Sequence, residues 1–271
     1  MNIEKEFEKI AFDTVNGASF ITEKTVEISK KALLENLPYE KIKKNLSLIK
    51  TRQNMMASVF NLIKEIETLL DANENREKII EFCDSFSEKS ARFSKEAAKN
   101  ASEYLPENCT ILTHSFSSLV FNALVSAKES GKRLKVICTK SEPKNEGEKL
   151  CEELKKNGVD SLLVTDAQAG FSIKEADLFL IGADGINEEF LIHKIGTLPI
   201  ALAAKHFGKK VVSVATKLKF WEKGHEIEKE IPKNPDEISP KKNCEKINFY
   251  FDLTPLTLID KIITEDEFQK I

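Results

Sequence analysis

Glycine is almost missing from the first half of this 271-residue chain: nine of its ten glycines lie after residue 130, and Gly17 alone precedes it. Proline is as scarce there, with only Pro38 before residue 106. A stretch that long with so few breakers, rich in Glu, Lys, Leu and Ile, is built of helices rather than turns. A basic excess is lacking too. The chain has 41 basic and 44 acidic residues and a net charge of −3, so there is no electrostatic footprint for nucleic acid and no direct nucleic-acid partner is expected. No apolar run approaches the length of a membrane span, so no membrane partner is expected. The opening MNIEKEFEKI is charged from the start and does not read as a secretory signal. The cysteines, Cys83, Cys109, Cys138, Cys151 and Cys244, are odd in number and scattered. They offer neither zinc-ligand spacing nor a disulfide framework, so we expect no metal and a reducing, cytoplasmic location. Neither a dinucleotide fingerprint nor a Walker loop occurs, which leaves NAD and ATP chemistry without support; no cofactor is expected.

What is present divides at about residue 105. Before it, Ile3, Phe7, Ile10 and Ala11 mark one apolar helix face. Met55, Met56, Val59, Phe60, Leu62, Ile63 and Ile66 mark a second. Ile79, Ile80, Phe82, Cys83 and Phe86 mark a third, on a long helix running towards Tyr104. Such stripes are core-packing faces. From residue 109 short apolar runs alternate with amphipathic segments: CTILTH, LKVICT, SLLVTD, DLFLIGAD, VVSVA and finally INFYFD. This alternation predicts right-handed βαβ units and a parallel sheet covered on both faces. The expected fold class is therefore α/β: a helical N-terminal domain over residues 1–105, then a Rossmann-like parallel-sheet domain over residues 106–271. The polar segment 221–246, with three prolines, is expected to be a surface excursion, because a strand follows it.

Open parallel sheets bind ligands beyond the carboxyl ends of their strands. Those ends are polar here, at Thr113-His114-Ser115, Thr139 to Glu142, Thr165 to Gln168, Gly182-Ala183-Asp184 and Thr216-Lys217. Ser115, Ser117 and Ser118 sit where a helix begins; they can hold a phosphate or simply cap the helix. Asp184 can act as a general acid or base, or cap its own GADGIN loop. Lys194, the Gly196 amide and Thr197, in HKIGT, can meet an anion or form a loop with one solvated lysine. His114 has no evident partner and reads as structural.

These residues carry a family resemblance. THSFSS, TKSEPKNEGEKLCEEL, VTDAQAG, GADGI, HKIGT, LKF and FDLTP occur in this order. Together they resemble the family that holds the alpha, beta and delta regulatory subunits of eukaryotic translation initiation factor 2B. Its archaeal relatives, ribose-1,5-bisphosphate isomerase and methylthioribose-1-phosphate isomerase belong to the same family. NGAS at 16–19 resembles its glycine-alanine phosphate loop and TRQNM at 51–55 its arginine motif. The resemblance spans nearly the whole chain. It implies the same two-part fold, dimerising through the Rossmann-like domain. It also implies a pocket for a phosphorylated small molecule at Gly17, Ala18, Arg52, His114, Ser115, Asp184, His193 and Lys194.

The family's isomerases pair a cysteine, where this chain has Ser115, with the aspartate matching Asp184. A thiol titrates near pH 8.5 and can be tuned lower, whereas a serine hydroxyl stays protonated without a dedicated base. Cys109 lies too early in its strand to substitute; Cys138 ends the neighbouring strand. His193 stands where the family usually has asparagine, Asn16 where the isomerases often have arginine, and Thr216 where glutamate is frequent. The resemblance therefore leads us to expect a regulatory or assembly protein of the initiation factor 2B type, in which Asp184 is not catalytic. It would be a homodimer or higher oligomer, with the alpha subunit of initiation factor 2 as a partner. The alternative is a sugar-phosphate aldose–ketose isomerase of the ribose-1,5-bisphosphate type, with Asp184 as a catalytic residue.

Overall fold

The computed structural model describes residues 3–241 and 243–266. Five helices come first: α1 (Ile3–Ala11), α2 (Ala18–Leu34), α3 (Tyr39–Arg52), α4 (Ala57–Asp71) and α5 (Arg76–Tyr104). Their apolar faces close a core around Phe7, Ile21, Leu33, Ile42, Leu46, Ile49 and Ile63, all fully or almost fully buried. Two of the three apolar stripes in the sequence mark α1 and α5, and the third begins just ahead of α4. Helix α5 starts where the Asn75 side chain accepts a bond from the Lys78 amide. It stops at Leu105, just before Pro106, as the residue before a proline is steered out of the helical region.

The sheet follows. Strands β1 (Asn108–Thr113), β2 (Arg133–Thr139), β3 (Asp160–Val164) and β4 (Leu178–Ile181) are joined by helices α6 (Ser118–Glu129), α7 (Glu146–Lys156) and the short α8 (Ala169–Ser172). Then come β5 (Gly185–Ile186), β6 (Phe190–Lys194), α9 (Thr197–His206), β7 (Lys210–Val214), β8 (Phe251–Pro255) and β9 (Lys261–Ile263). The main sheet is parallel, in the order β3-β2-β1-β4-β7-β9. Neighbouring residues of each strand serve opposite faces. Ile111, Cys138 and Leu180 pack with Ala97 and Ala101 of α5 and with α6 and α7. Leu112, Ile137 and Phe179 pack with α8 and α9 through Ala169, Ile200 and Ala204. Two covered faces explain why every residue of β4 is buried and why its sequence is a continuous apolar run.

Three expectations need correction. INFYFD does not extend the parallel sheet. Its last two residues open β8, which pairs antiparallel with β6 in a separate three-stranded sheet, β5-β6-β8. The sixth parallel strand is instead β9, whose three residues are too few to show a period. HKIGT is not simply a loop, because His193 and Lys194 end β6, opposite Asp252 and Phe251. The segment 221–246 has little regular structure, as expected, but it does not merely cross the surface. The Asn54 side chain donates to the Lys229 carbonyl at 3.0 Å. Glu230 accepts from the amides of Tyr250 and Phe251.

Strand order reverses at β1 and β4, so the connections leave these two strands in opposite directions and open a crevice at their carboxyl ends. The helical layer is fastened across it. The Ala57 amide donates to the Asp184 carbonyl at 2.9 Å. Asn61 donates to the carbonyls of Leu218 and Phe220 at 3.1 and 2.9 Å. Met55 and Ala57 pack with Ile192 and Trp221.

Candidate functional site

A cavity of about 510 Å³ occupies the crevice. Its walls come from the loop before α2 and that helix's first turn, the ends of β1, β4 and β6, the start of α7, and Lys219, Lys233 and Tyr250. Gly17 caps α2 with extended backbone and no side-chain bond, and the first turn holds no acidic residue. The first-turn amides of this 17-residue helix therefore face the cavity with the positive end of its dipole.

Asp184 lies three residues beyond β4. Gly182 allows the approach: a Cβ there would sit 2.5 Å from the Ser117 hydroxyl oxygen. The Asp184 carboxylate lies 3.2 Å from His193 Nδ1, receives the Ala18 amide, and is 14% exposed. Burial pushes its pKa up. The hydrogen bond and charge of His193, the charge of Lys219 and the Ala18 amide outweigh this, and the net effect lowers it below the ordinary aspartate value. Asp184 is thus an ionised carboxylate at neutral pH. Lys219 is buried and donates to the Ala183 carbonyl at 2.5 Å. Burial lowers its pKa, opposed by Asp184.

Cations gather in the same cavity. Lys144, Lys149, Lys194, Lys219 and Lys233 line the cavity with the acids Asp13, Glu23, Glu146 and Asp184. Lys194 is 3% exposed, so it is not the solvated lysine of a loop. Its Nζ contacts Glu146 Oε1 at 2.8 Å and stands 5.1 Å over the Tyr250 ring. Lys233 and Lys144 approach the same ring at 5.6 and 5.8 Å. The ring's negative face helps to hold three ammonium groups together. Such a cluster beside a helix N-terminus is suited to a phosphoryl group.

The structure brings Gly17, Ala18, Ser115, Asp184, His193 and Lys194 to one cavity and leaves Arg52 and His114 out of its lining. Arg52 is exposed, stacks 4.8 Å over the Phe12 ring, and its charge acts on Lys233 of the cavity wall. His114 is buried behind the wall, its ring bonded to the Thr139 hydroxyl at 2.6 Å and the Ile195 carbonyl at 2.8 Å. Ser117 caps α6 by accepting from the Val120 amide. Ser115 stands two residues ahead of that cap, in the left-handed region at φ +66°, on the cavity wall. The Gly196 amide is taken by Asp252 and the Thr197 hydroxyl by the Lys194 carbonyl, so neither is free for an anion. Cys138 does not line the cavity, and burial pushes its thiol well above the ordinary range. Among the described residues no His, Cys, Asp or Glu group has the makings of a metal site.

The sequence reading missed Lys144, Lys233, Glu146 and Tyr250 as site residues. The available signal for Lys144 and Glu146 was their position after β2, in the loop that must cross the crevice. Lys233 and Tyr250 had none, because only the fold brings the 221–246 segment and β8 to this wall.

Comparison with known proteins agrees with this fold. The chain is 31% identical to ribose 1,5-bisphosphate isomerase of Methanocaldococcus jannaschii, over 98% of this chain and 91% of that protein. It is 30% identical to a putative translation initiation factor eIF-2B subunit 2-like protein of Pyrococcus furiosus, over 97% of this chain and 94% of that one. The crystal structure of the Pyrococcus horikoshii OT3 translation initiation factor eIF-2B superposes with a TM-score of 0.88 at 27% identity, covering 98% of this chain and 96% of that one. The model of the Initiation factor 2 subunit family matches residues 11–266, and the chain belongs to that family.

Proposed function

We propose that the cavity binds a phosphorylated sugar and isomerises it from aldose to ketose, the chemistry named for the Methanocaldococcus relative. One observation carries this: an ionised carboxylate, Asp184, lies beside His193 and Lys219 at the end of β4, next to a lysine cluster and the N-terminus of α2. The cations and amides hold phosphate, and the carboxylate supplies a base close to the sugar. Isomerisation moves a hydrogen between neighbouring carbons, so no outside oxidant or reductant takes part. The site residues in this reading are Gly17, Ala18, Ser115, Asp184, His193 and Lys194, joined by Lys144 and Lys233.

Ser115 favours a second reading, that of a regulatory or assembly subunit resembling the eIF-2B-like relatives. A serine hydroxyl stays protonated at neutral pH without a dedicated base, and Cys138 cannot replace a thiol from behind the wall. In that reading the cavity senses a sugar phosphate without turning it over, and the alpha subunit of initiation factor 2 is the partner. In both readings the protein is a cytoplasmic homodimer or higher oligomer. Turnover of ribose 1,5-bisphosphate and 5-methylthioribose 1-phosphate, followed by NMR over hours, separates them. Conversion at an enzymatic rate supports the isomerase. Ligand-induced shifts without conversion support the regulatory subunit.

A further inference from the structure

We infer that His193 and Asp184 together form the proton-transfer pair of this cavity, with the imidazole supplying the acid that Ser115 cannot. This rests on the isomerase reading of the same site. His193 Nδ1 lies 3.2 Å from Asp184 Oδ2, and Nε2 lies 3.4 Å from the His114 carbonyl oxygen. Both neighbours are acceptors. A neutral imidazole donates through one nitrogen only, so the doubly protonated ring is the form that answers both. The His114 contact is the looser, and it points the ring towards the segment that carries Ser115. A substrate oxygen entering the cavity can take its place.

The ring is held in position. His193 is the penultimate residue of β6, in register with Asp252 of β8. The titratable groups acting on it are the carboxylates Asp184 beyond β4 and Asp252 on β8, and His114 at the end of β1. Lys194, its neighbour on β6, is occupied by Glu146, and Lys219 by the Ala183 carbonyl.

The steps balance on a cyclic aldose 1-phosphate. The His193 imidazolium protonates the ring oxygen as its bond to C1 breaks. The Asp184 carboxylate takes the proton from C2, and the C–H electron pair forms the C1–C2 double bond. The C2 hydroxyl then gives its proton to the neutral imidazole and becomes a carbonyl, and C1 receives the proton held by Asp184. C2 is oxidised, C1 is reduced, and both side chains end as they began.

The test uses the full chain with ribose 1,5-bisphosphate, measuring turnover by NMR, affinity by calorimetry and kcat/KM against pH, for wild type, His193→Asn and His193→Gln. Thermal melts establish which variants are folded. The expected result is a loss of about a hundredfold or more in kcat with affinity kept within a few-fold, and disappearance of the limb of the pH profile that reports the imidazolium. Folded variants with wild-type kcat and an unchanged pH profile overturn the inference and leave the isomerase reading standing, as does a loss confined to KM. A wild-type protein that binds the sugar phosphate without converting it removes the isomerase reading and this inference with it.

Discussion

His114 should make the protein lose stability in mild acid. The residue is 1% exposed. Its neutral ring is fully satisfied, Nε2–H donating to the Ile195 carbonyl and Nδ1 accepting from the Thr139 hydroxyl. Burial, helped by the charges of His193 and Lys194, lowers its pKa from 6.5 to about 4, against the pull of the Ile195 carbonyl and Asp166. The unfolded chain therefore binds the proton first as pH falls through the interval from 6.5 to about 4. Folding stability falls in that window and is fully present above it. The gap corresponds to about 3 kcal/mol in all, of which about 2 kcal/mol is lost between about pH 7 and pH 5. Urea unfolding followed by circular dichroism, at fixed protein concentration and both pH values, measures the loss. His114→Gln is less stable than wild type at pH 7 because it breaks the link between β1, β2 and the turn before α9. Its further loss at pH 5 should be smaller than wild type's by about 2 kcal/mol. Equal losses in the two proteins would refute the assignment of a buried neutral histidine.

Lys194→Met should weaken binding of a sugar phosphate by about ten- to a hundredfold, the worth of one charge-assisted bond, and calorimetry reads it directly. Gly147→Ala should lower stability by about 3 kcal/mol, since the new Cβ would fall 1.7 Å from the Thr139 carbonyl oxygen; a thermal melt of the variant checks this. Brief alkylation of the native protein near neutral pH should label Cys244, the exposed cysteine, and spare Cys83, Cys109, Cys138 and Cys151, with peptide mass spectrometry locating the adducts. Labelling of Cys138 in the folded protein would return a thiol to the candidates for the site.

Local patterns carried much of the architecture. The shortage of glycine and proline before residue 106 marked the helical half, because a breaker acts on the residues beside it. The apolar runs ending at Thr113, Thr139, Asp166 and Asp184 located the strand ends, because burial on both faces writes itself into consecutive residues. The crevice followed from those ends, and six of the eight site residues expected from the family resemblance line it: Gly17, Ala18, Ser115, Asp184, His193 and Lys194. What local pattern could not carry was which distant segments meet. His193 and Lys194 take their direction from the pairing of β6 with β8, about 60 residues further along. Lys233 and Tyr250 reach the wall because residues 221–246 fold back over it, and His114 turns away because Thr139 and Ile195 bind both faces of its polar edge. Side-chain periodicity sets which face of an element is buried. The destination of a loop, and the charge state of a histidine or carboxylate within it, depend on partners that only the folded chain brings within a few ångströms.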